Sequence, residues 1–176
     1  MKKLGTLLLV MIASALLAGI YGILHDQLTY SISHEYFTKF KYAQFGFEPA
    51  WFGGDRPTVV VIGFLATWWV GLFIGTGLGL VALVLPDAAA MRKAVARAIG
   101  LVYSTAVIAG VVGFLYGKYY LTTAGVNWWL PANLVHKNDF ITVGSIHNFG
   151  YAGGLIGLLV GILYLLKFRY SAVAAR

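Results

Sequence analysis

The sequence contains no cysteine, which excludes several kinds of chemistry at once. Disulfide bonds, thiolate metal sites, cysteine-bound iron–sulfur clusters and cysteine nucleophiles all require that residue. A serine–histidine–aspartate arrangement or a pair of neighbouring carboxylates, either of which would point to hydrolysis, does not stand out. Any metal or catalytic site must therefore be built without thiol groups.

Charged residues are also scarce, at 11% of the 176 residues, whereas 60% of the chain is hydrophobic. A soluble domain of this size needs more polar surface to cover itself, so we expect a single integral membrane domain over residues 1–176. The net charge of +7 superficially suits nucleic acid. However, the basic residues flank apolar runs, and no basic face or aromatic RNA-binding motif accompanies them. The expected partner is therefore the lipid bilayer and not nucleic acid.

Four apolar stretches are long enough to cross a bilayer, since ~20 residues at ~1.5 Å each span ~30 Å. They predict an all-α membrane protein, a four-transmembrane-helix bundle, with spans at about 4–24, 58–85, 98–117 and 144–166. Pro86 should end the second span, and Asp87 should cap a basic helix over residues 88–97. The first stretch exceeds a signal-peptide core, which favours a retained helix over a cleaved one.

The positive-inside rule gives an orientation for this bundle. One side is strongly basic, through Lys2, Lys3, Arg92, Lys93, Arg97, Lys167, Arg169 and Arg176. The other side carries basic and acidic residues in balance. We therefore expect both termini in the cytoplasm, with the loops His25–Pro57 and Leu121–Val143 outside the membrane.

The first outer loop combines two local patterns. Residues 26–33 alternate apolar and polar side chains, which predicts an extended segment lying on the membrane surface. Ser33 is an expected N-cap for a short amphipathic interfacial helix that Gly46 ends. The apolar face of that helix comprises Tyr36, Phe37 and Phe40, whereas Lys39 and Lys41 lie off it.

Small residues recur at every fourth position within the spans. The clearest stripe consists of Gly63, Thr67, Gly71, Gly75 and Gly79. There is little hydrophobic drive between helices in lipid, so close backbone approach through small residues carries helix association. We expect these stripes to pack within one chain, and a homodimer is the alternative.

Histidine and carboxylate residues gather where two spans meet the outer surface. His25 ends the first span and His147 lies in the first turn of the fourth, so both should lie at one depth. Asp26 adjoins His25, and the surface segment can fold His34 or Glu35 back over this rim. Two imidazoles with one or two carboxylates form a suitable shell for zinc, iron or manganese. The predicted metal ligands are thus His25, Asp26, His34, Glu35 and His147.

Other interpretations of these residues stay open from the sequence. Each histidine can simply satisfy local hydrogen bonds without binding a metal. His25 and His147 can instead hold a haem iron between them. The protein can also be a non-enzymatic accessory or scaffold subunit of a larger membrane complex. Transport is disfavoured because no acidic or basic residue lies near the middle of a span.

The stretch His25-Asp26-Gln27-Leu28-Thr29, followed by Glu35-Tyr36-Phe37-Thr38, resembles a motif of small multi-span bacterial membrane proteins. The likeness covers residues 25–38 and nothing downstream. It implies a bacterial inner-membrane setting, and it implies no particular mechanism.

Overall fold

The computed structural model describes the backbone of residues 2–174 and the side chains of residues 2–169. It contains four long helices, which are α1 (Lys2–Ile32), α2 (Asp55–Ala82), α3 (Ala88–Tyr116) and α4 (Lys137–Ala174). Each is long and apolar enough to cross a membrane. The predicted all-α bundle with four spans is therefore confirmed. Arg176, one of the residues used to orient the bundle, lies outside the described residues.

Helix α1 is longer than predicted, because it continues to Ile32. The extended surface segment expected over residues 26–33 is therefore wrong. Asp26, Thr29 and Tyr30 are all buried, so this stretch follows a helical spacing despite its alternating composition. Thr29 supports the helix by donating its hydroxyl to the carbonyl oxygen of His25 at 3.0 Å.

The turn between α2 and α3 also differs from the prediction. Helix α2 ends at Ala82, before Pro86, and the basic stretch 88–97 joins the third span as one continuous helix. Asp87 caps α3 as expected, since its carboxylate accepts the N–H groups of Ala89 and Ala90 at 2.9 and 2.8 Å. The predicted separate basic helix is therefore the first part of α3.

The remaining connections form what we call the cap, made of residues 33–54 and 125–136. Ser33 is the expected N-cap, because its Oγ accepts the N–H of Tyr36 at 3.3 Å. The first part of the cap contains helical turns at His34–Tyr36, Phe37–Lys41 (a π-helical turn), Tyr42–Phe45 and Pro49–Phe52 (a 3₁₀ turn). Gly46 ends the third turn with a positive φ of 67°. The second part follows two further turns, Gly117–Leu121 (π) and Thr122–Ala124.

The bundle consists of two tightly packed helix pairs, α1 with α2 and α3 with α4. In the first pair, a Cβ atom added to Gly63 would lie 2.5 Å from the carbonyl oxygen of Gly22. In the second pair, a Cβ atom added to Gly153 would lie 2.8 Å from the carbonyl oxygen of Thr105. Small residues therefore allow both close contacts, and these stripes pack within the chain as expected.

We expect Gly63→Ala to destabilise the protein by about 1–3 kcal/mol, because the new Cβ meets backbone that cannot move aside. Gly100→Ala is the matched control, since nothing lies within 4 Å of a Cβ there. Alanine in a helix is favoured over glycine by about 0.5–1 kcal/mol, so the control should be slightly stabilised. Denaturant unfolding of both variants in one detergent makes the comparison. Equal stabilities would contradict the close α1–α2 contact.

Candidate metal centre

Three of the predicted ligands meet at the cap end of the bundle. His25 and Asp26 come from the last turns of α1, and His147 comes from α4. One ligand atom from each residue lies within 4.8 Å of the other two. The two imidazole rings are in edge-to-face contact, with centroids 4.8 Å apart. The expected convergence of His25 and His147 at one depth is therefore confirmed.

Both nitrogen atoms of His147 are engaged. The Nδ1 atom lies 2.9 Å from the carbonyl oxygen of Val143, and since a carbonyl only accepts, Nδ1 carries a hydrogen and donates it. The Nε2 atom lies 3.2 Å from Oδ1 of Asp26. In a neutral ring this Nε2 has a lone pair, and an ionised carboxylate also offers only lone pairs. The contact therefore requires a cation between the two atoms, either a proton or a metal ion.

The second carboxylate oxygen of Asp26, Oδ2, differs from Oδ1 because it has no hydrogen-bond partner. Asp26 is only 2% exposed, and its Oδ2 is buried without a hydrogen-bond partner. Buried polar atoms without a partner are rare, because each loses its hydration without compensation. Asp26, His25 and His147 all line one internal cavity of about 90 Å³. The unpartnered oxygen is therefore available to an occupant of this cavity or to an ion in the cluster.

The cap covers the cluster through two aromatic residues and a lysine. The Tyr36 ring stacks on His147, with centroids 4.8 Å apart and planes at 24°. Phe37 is fully buried, and Lys41, one turn later, is only 5% exposed. The expectation that Lys41 lies off the buried face is wrong, because its side chain is buried at the end of the π-helical turn Phe37–Lys41. Burial lowers the pKa of Lys41, and the negative charge of nearby Asp26 opposes that shift.

His34 does not join the cluster. Its side chain is exposed, and its ring packs edge-on against Tyr30 with centroids 4.5 Å apart. The helical turn that starts after Ser33 directs Tyr36 inward and leaves His34 on the outside. The structure therefore does not bring His34 together with His25, Asp26 and His147.

Glu35 does not join the cluster either, because its carboxylate holds the two parts of the cap together. Its oxygens accept the backbone N–H groups of Val135 at 3.0 Å and His136 at 2.6 Å. The same carboxylate pairs with Lys39 Nζ at 2.5 Å, and Lys39 in turn donates to the carbonyl oxygen of Asn133. Both oxygens of Glu35 thus have other partners, and the structure does not bring Glu35 together with His25, Asp26 and His147.

The geometry also argues against a haem between the two histidines. A bis-histidine haem places its macrocycle between the two rings. Here the rings of His25 and His147 touch each other, and the adjoining cavity measures only about 90 Å³. A porphyrin does not fit in this space without separating the helices.

No family model matches the chain, and neither curated proteins nor solved structures gave a significant match. The functional argument therefore depends on the geometry of the described residues. The resemblance carried by residues 25–38 stays a prediction.

The sequence interpretation missed three features of the site, which are the buried Lys41, the stacking of Tyr36 on His147 and the cavity. A signal for the first was present, because Phe37 and Lys41 are four residues apart and therefore share a helical face. The cavity had no signal in the sequence, since it depends on how the four helices are rotated against one another.

The role of Glu35 predicts a pH-dependent cap. The ion pair with Lys39 and the N–H groups of Val135 and His136 lower its pKa from 4.5 to about 2. A depressed carboxyl pKa gives stability that is complete above the unfolded value and is lost as the pH falls through the folded value. We therefore expect residues 133–136 to stay docked at pH 5 and to detach between pH 4.5 and pH 2.

A single spin label can measure this detachment, because the chain has no native cysteine. Ala132→Cys is an exposed labelling position in the second part of the cap. Label mobility should rise over the stated pH range, and Glu35→Ala should show the mobile spectrum already at pH 7. A label that is equally restrained in Glu35→Ala at pH 7 would show that Glu35 does not hold the cap.

Proposed function

We propose that this membrane protein binds a divalent transition metal ion, namely zinc, iron or manganese, through His25, Asp26 and His147. The supporting observation is that ligand atoms of the three residues lie within 4.8 Å of one another. Two ligand atoms at ~2.0–2.2 Å from a tetrahedral ion lie roughly 3.3–3.6 Å apart. The 3.2 Å between His147 Nε2 and Asp26 Oδ1 is close to that spacing. Small side-chain rotations therefore suffice to complete the site.

The environment of His147 supports this assignment. Metal-binding histidines almost always donate their other ring N–H to a carbonyl or carboxylate, which fixes the tautomer and the ring orientation. The bond from Nδ1 to the Val143 carbonyl has this form, and it leaves the Nε2 lone pair directed at the cluster. The stacked Tyr36 ring holds the imidazole in the same orientation.

Three protein ligands leave at least one coordination position open. Two histidines and one carboxylate are a ligand set found with zinc and with iron(II), and three-ligand sites generally hold water or a small molecule in addition. All three residues line the cavity, so a molecule held there would be next to a bound ion. The site is thus suited to an ion that also binds a water or a small molecule held inside the bundle.

Metal analysis of the purified protein tests the proposal, with any polyhistidine tag removed because the tag itself binds metal. We expect one ion per chain, or stoichiometric uptake of zinc in a titration. His25→Ala should weaken binding about 100-fold or more, since even loss of a residue that only orients a ligand costs ~10–100-fold. His25 is only half-buried, so this variant should fold.

The matched control is His34→Ala, which removes an exposed histidine outside the cluster. This variant should keep the wild-type affinity for zinc. Wild-type protein that contains no metal and takes up no zinc would overturn the proposal and leave a proton shared by His147 and Asp26. Equal zinc binding by His25→Ala and the wild type would overturn it as well.

Lys41 provides a second test, because its ammonium lies near Asp26 and also acts on His25. If a metal ion occupies the cluster, Lys41→Met should tighten zinc binding, since it removes a positive charge that repels the ion. If Lys41 is instead the essential counter-ion of Asp26, the substitution leaves a buried charge unpaired and should cost about 3–5 kcal/mol. Zinc should then fail to restore the melting temperature. Thermal unfolding of Lys41→Met with and without zinc separates the two outcomes.

A further inference from the structure

The internal cavity is elongated along the axis of the bundle. Residues from all four helices line its volume of about 90 Å³. Along α1 the lining extends from Asp26 to Ser14, a distance of ~18 Å at ~1.5 Å per residue. One end is polar, through the His25, Asp26 and His147 cluster, whereas the walls further along are apolar, through residues such as Val70 and Ile74. The lining therefore has the polarity of an amphiphile, with polar groups at one end and apolar side chains along its length.

Two of the polar atoms on residues that line the cavity have no partner within the protein. Asp26 Oδ2 and Ser14 Oγ are both buried without a hydrogen-bond partner, and both residues line the cavity. A file of water molecules is a poor occupant, because each water needs two to four polar partners and the walls are apolar. An occupant with a polar head at Asp26 and an apolar chain along the walls satisfies both requirements.

Two glycines on α4 widen the cavity instead of allowing helices to approach. Added Cβ atoms at Gly153 and Gly157 would collide with α3, so packing explains those positions. Gly150 and Gly154 line the cavity, and a Cβ at either one meets nothing within 4 Å. Glycine within a helix is unfavourable relative to alanine. Helix packing does not account for these two residues, whereas keeping the cavity open does.

We propose that this cavity binds a single-chain aliphatic alcohol, with its hydroxyl at Asp26 and its chain directed toward Ser14. A hydroxyl can donate to the unpartnered Asp26 Oδ2, and it can also occupy the open position of a bound metal ion. A fatty-acid carboxylate would be repelled by Asp26, and an ammonium head would compete with Lys41. The bilayer supplies and concentrates such molecules. The inference does not depend on the metal, because Asp26 Oδ2 is available in its absence.

A long-chain alcohol carrying a terminal diazirine tests this site in full-length protein reconstituted into nanodiscs. We expect photolabelling, mapped by mass spectrometry, on deep cavity residues such as Ala18, Val70 and Ile74. Gly154→Leu should fill the cavity without a backbone clash and reduce this labelling about tenfold. Gly100→Leu is the control, because its side chain enters open space away from the cavity and should leave labelling unchanged. Equal labelling of Gly154→Leu and wild type would overturn the proposal, as would labelling confined to lipid-facing residues.

Two further measurements, competition by unlabelled molecules and labelling in the presence of a chelator, identify the head group and separate this proposal from metal binding. An unlabelled long-chain alcohol should compete with the probe, whereas the fatty acid of equal length should not. Better competition by the acid would overturn the hydroxyl assignment. Labelling should persist in the presence of a chelator, because Asp26 Oδ2 does not need a metal to accept the hydroxyl. Protein that takes up no zinc but is still labelled would refute the metal proposal alone. Labelling that is lost while zinc still binds would refute the alcohol proposal alone.

Discussion

A buried carboxylate that faces a buried imidazole is the interaction on which the structure depends. Asp26 is 2% exposed and His147 is 5% exposed, within helices that are otherwise apolar. An isolated ionised carboxylate in such surroundings is strongly unfavourable, so it must share a cation or form strong hydrogen bonds. Because Asp26 belongs to α1 and His147 to α4, the contact between them also joins the two helix pairs of the bundle.

The rest of the architecture is arranged around this contact. Glycines bring the helices within each pair close together, as at Gly22 and Gly63, whereas the cavity lies where the two pairs meet. The cap then covers the cluster with the stacked Tyr36 ring and the fully buried Phe37. Glu35 holds the cap closed from outside through the backbone of Val135 and His136. The cluster is thereby separated from water at one end and open to an apolar space at the other.

The sequence was most informative where membrane depth alone decides position. Apolar runs locate the four spans, and they place His25 and His147 near the same face of the bilayer. The two residues do converge, although α1 and α4 both extend beyond them, to Ile32 and from Lys137. Local capping at Ser33 and Asp87 was also predictable, because it depends on neighbouring backbone only. The extended structure predicted for residues 26–33 was wrong, since apolar and polar side chains that alternate over only eight residues do not exclude a helix. The rotation of one helix against another leaves no such local signal, so neither the cavity nor the burial of Lys41 was predicted.

A metal ion explains more of the cluster than a shared proton does. The bond from His147 Nδ1 to the Val143 carbonyl leaves only Nε2 to face Asp26, so a proton there produces either an imidazolium–carboxylate pair or a neutral carboxylic acid that donates to the imidazole. Either pair satisfies Oδ1, but it leaves Asp26 Oδ2 without a partner and gives His25 no function in the contact. A metal ion uses His25, His147 and the carboxylate together, and its remaining coordination position can face the cavity. One ion therefore accounts for the convergence of three residues that two spans bring together from distant parts of the chain.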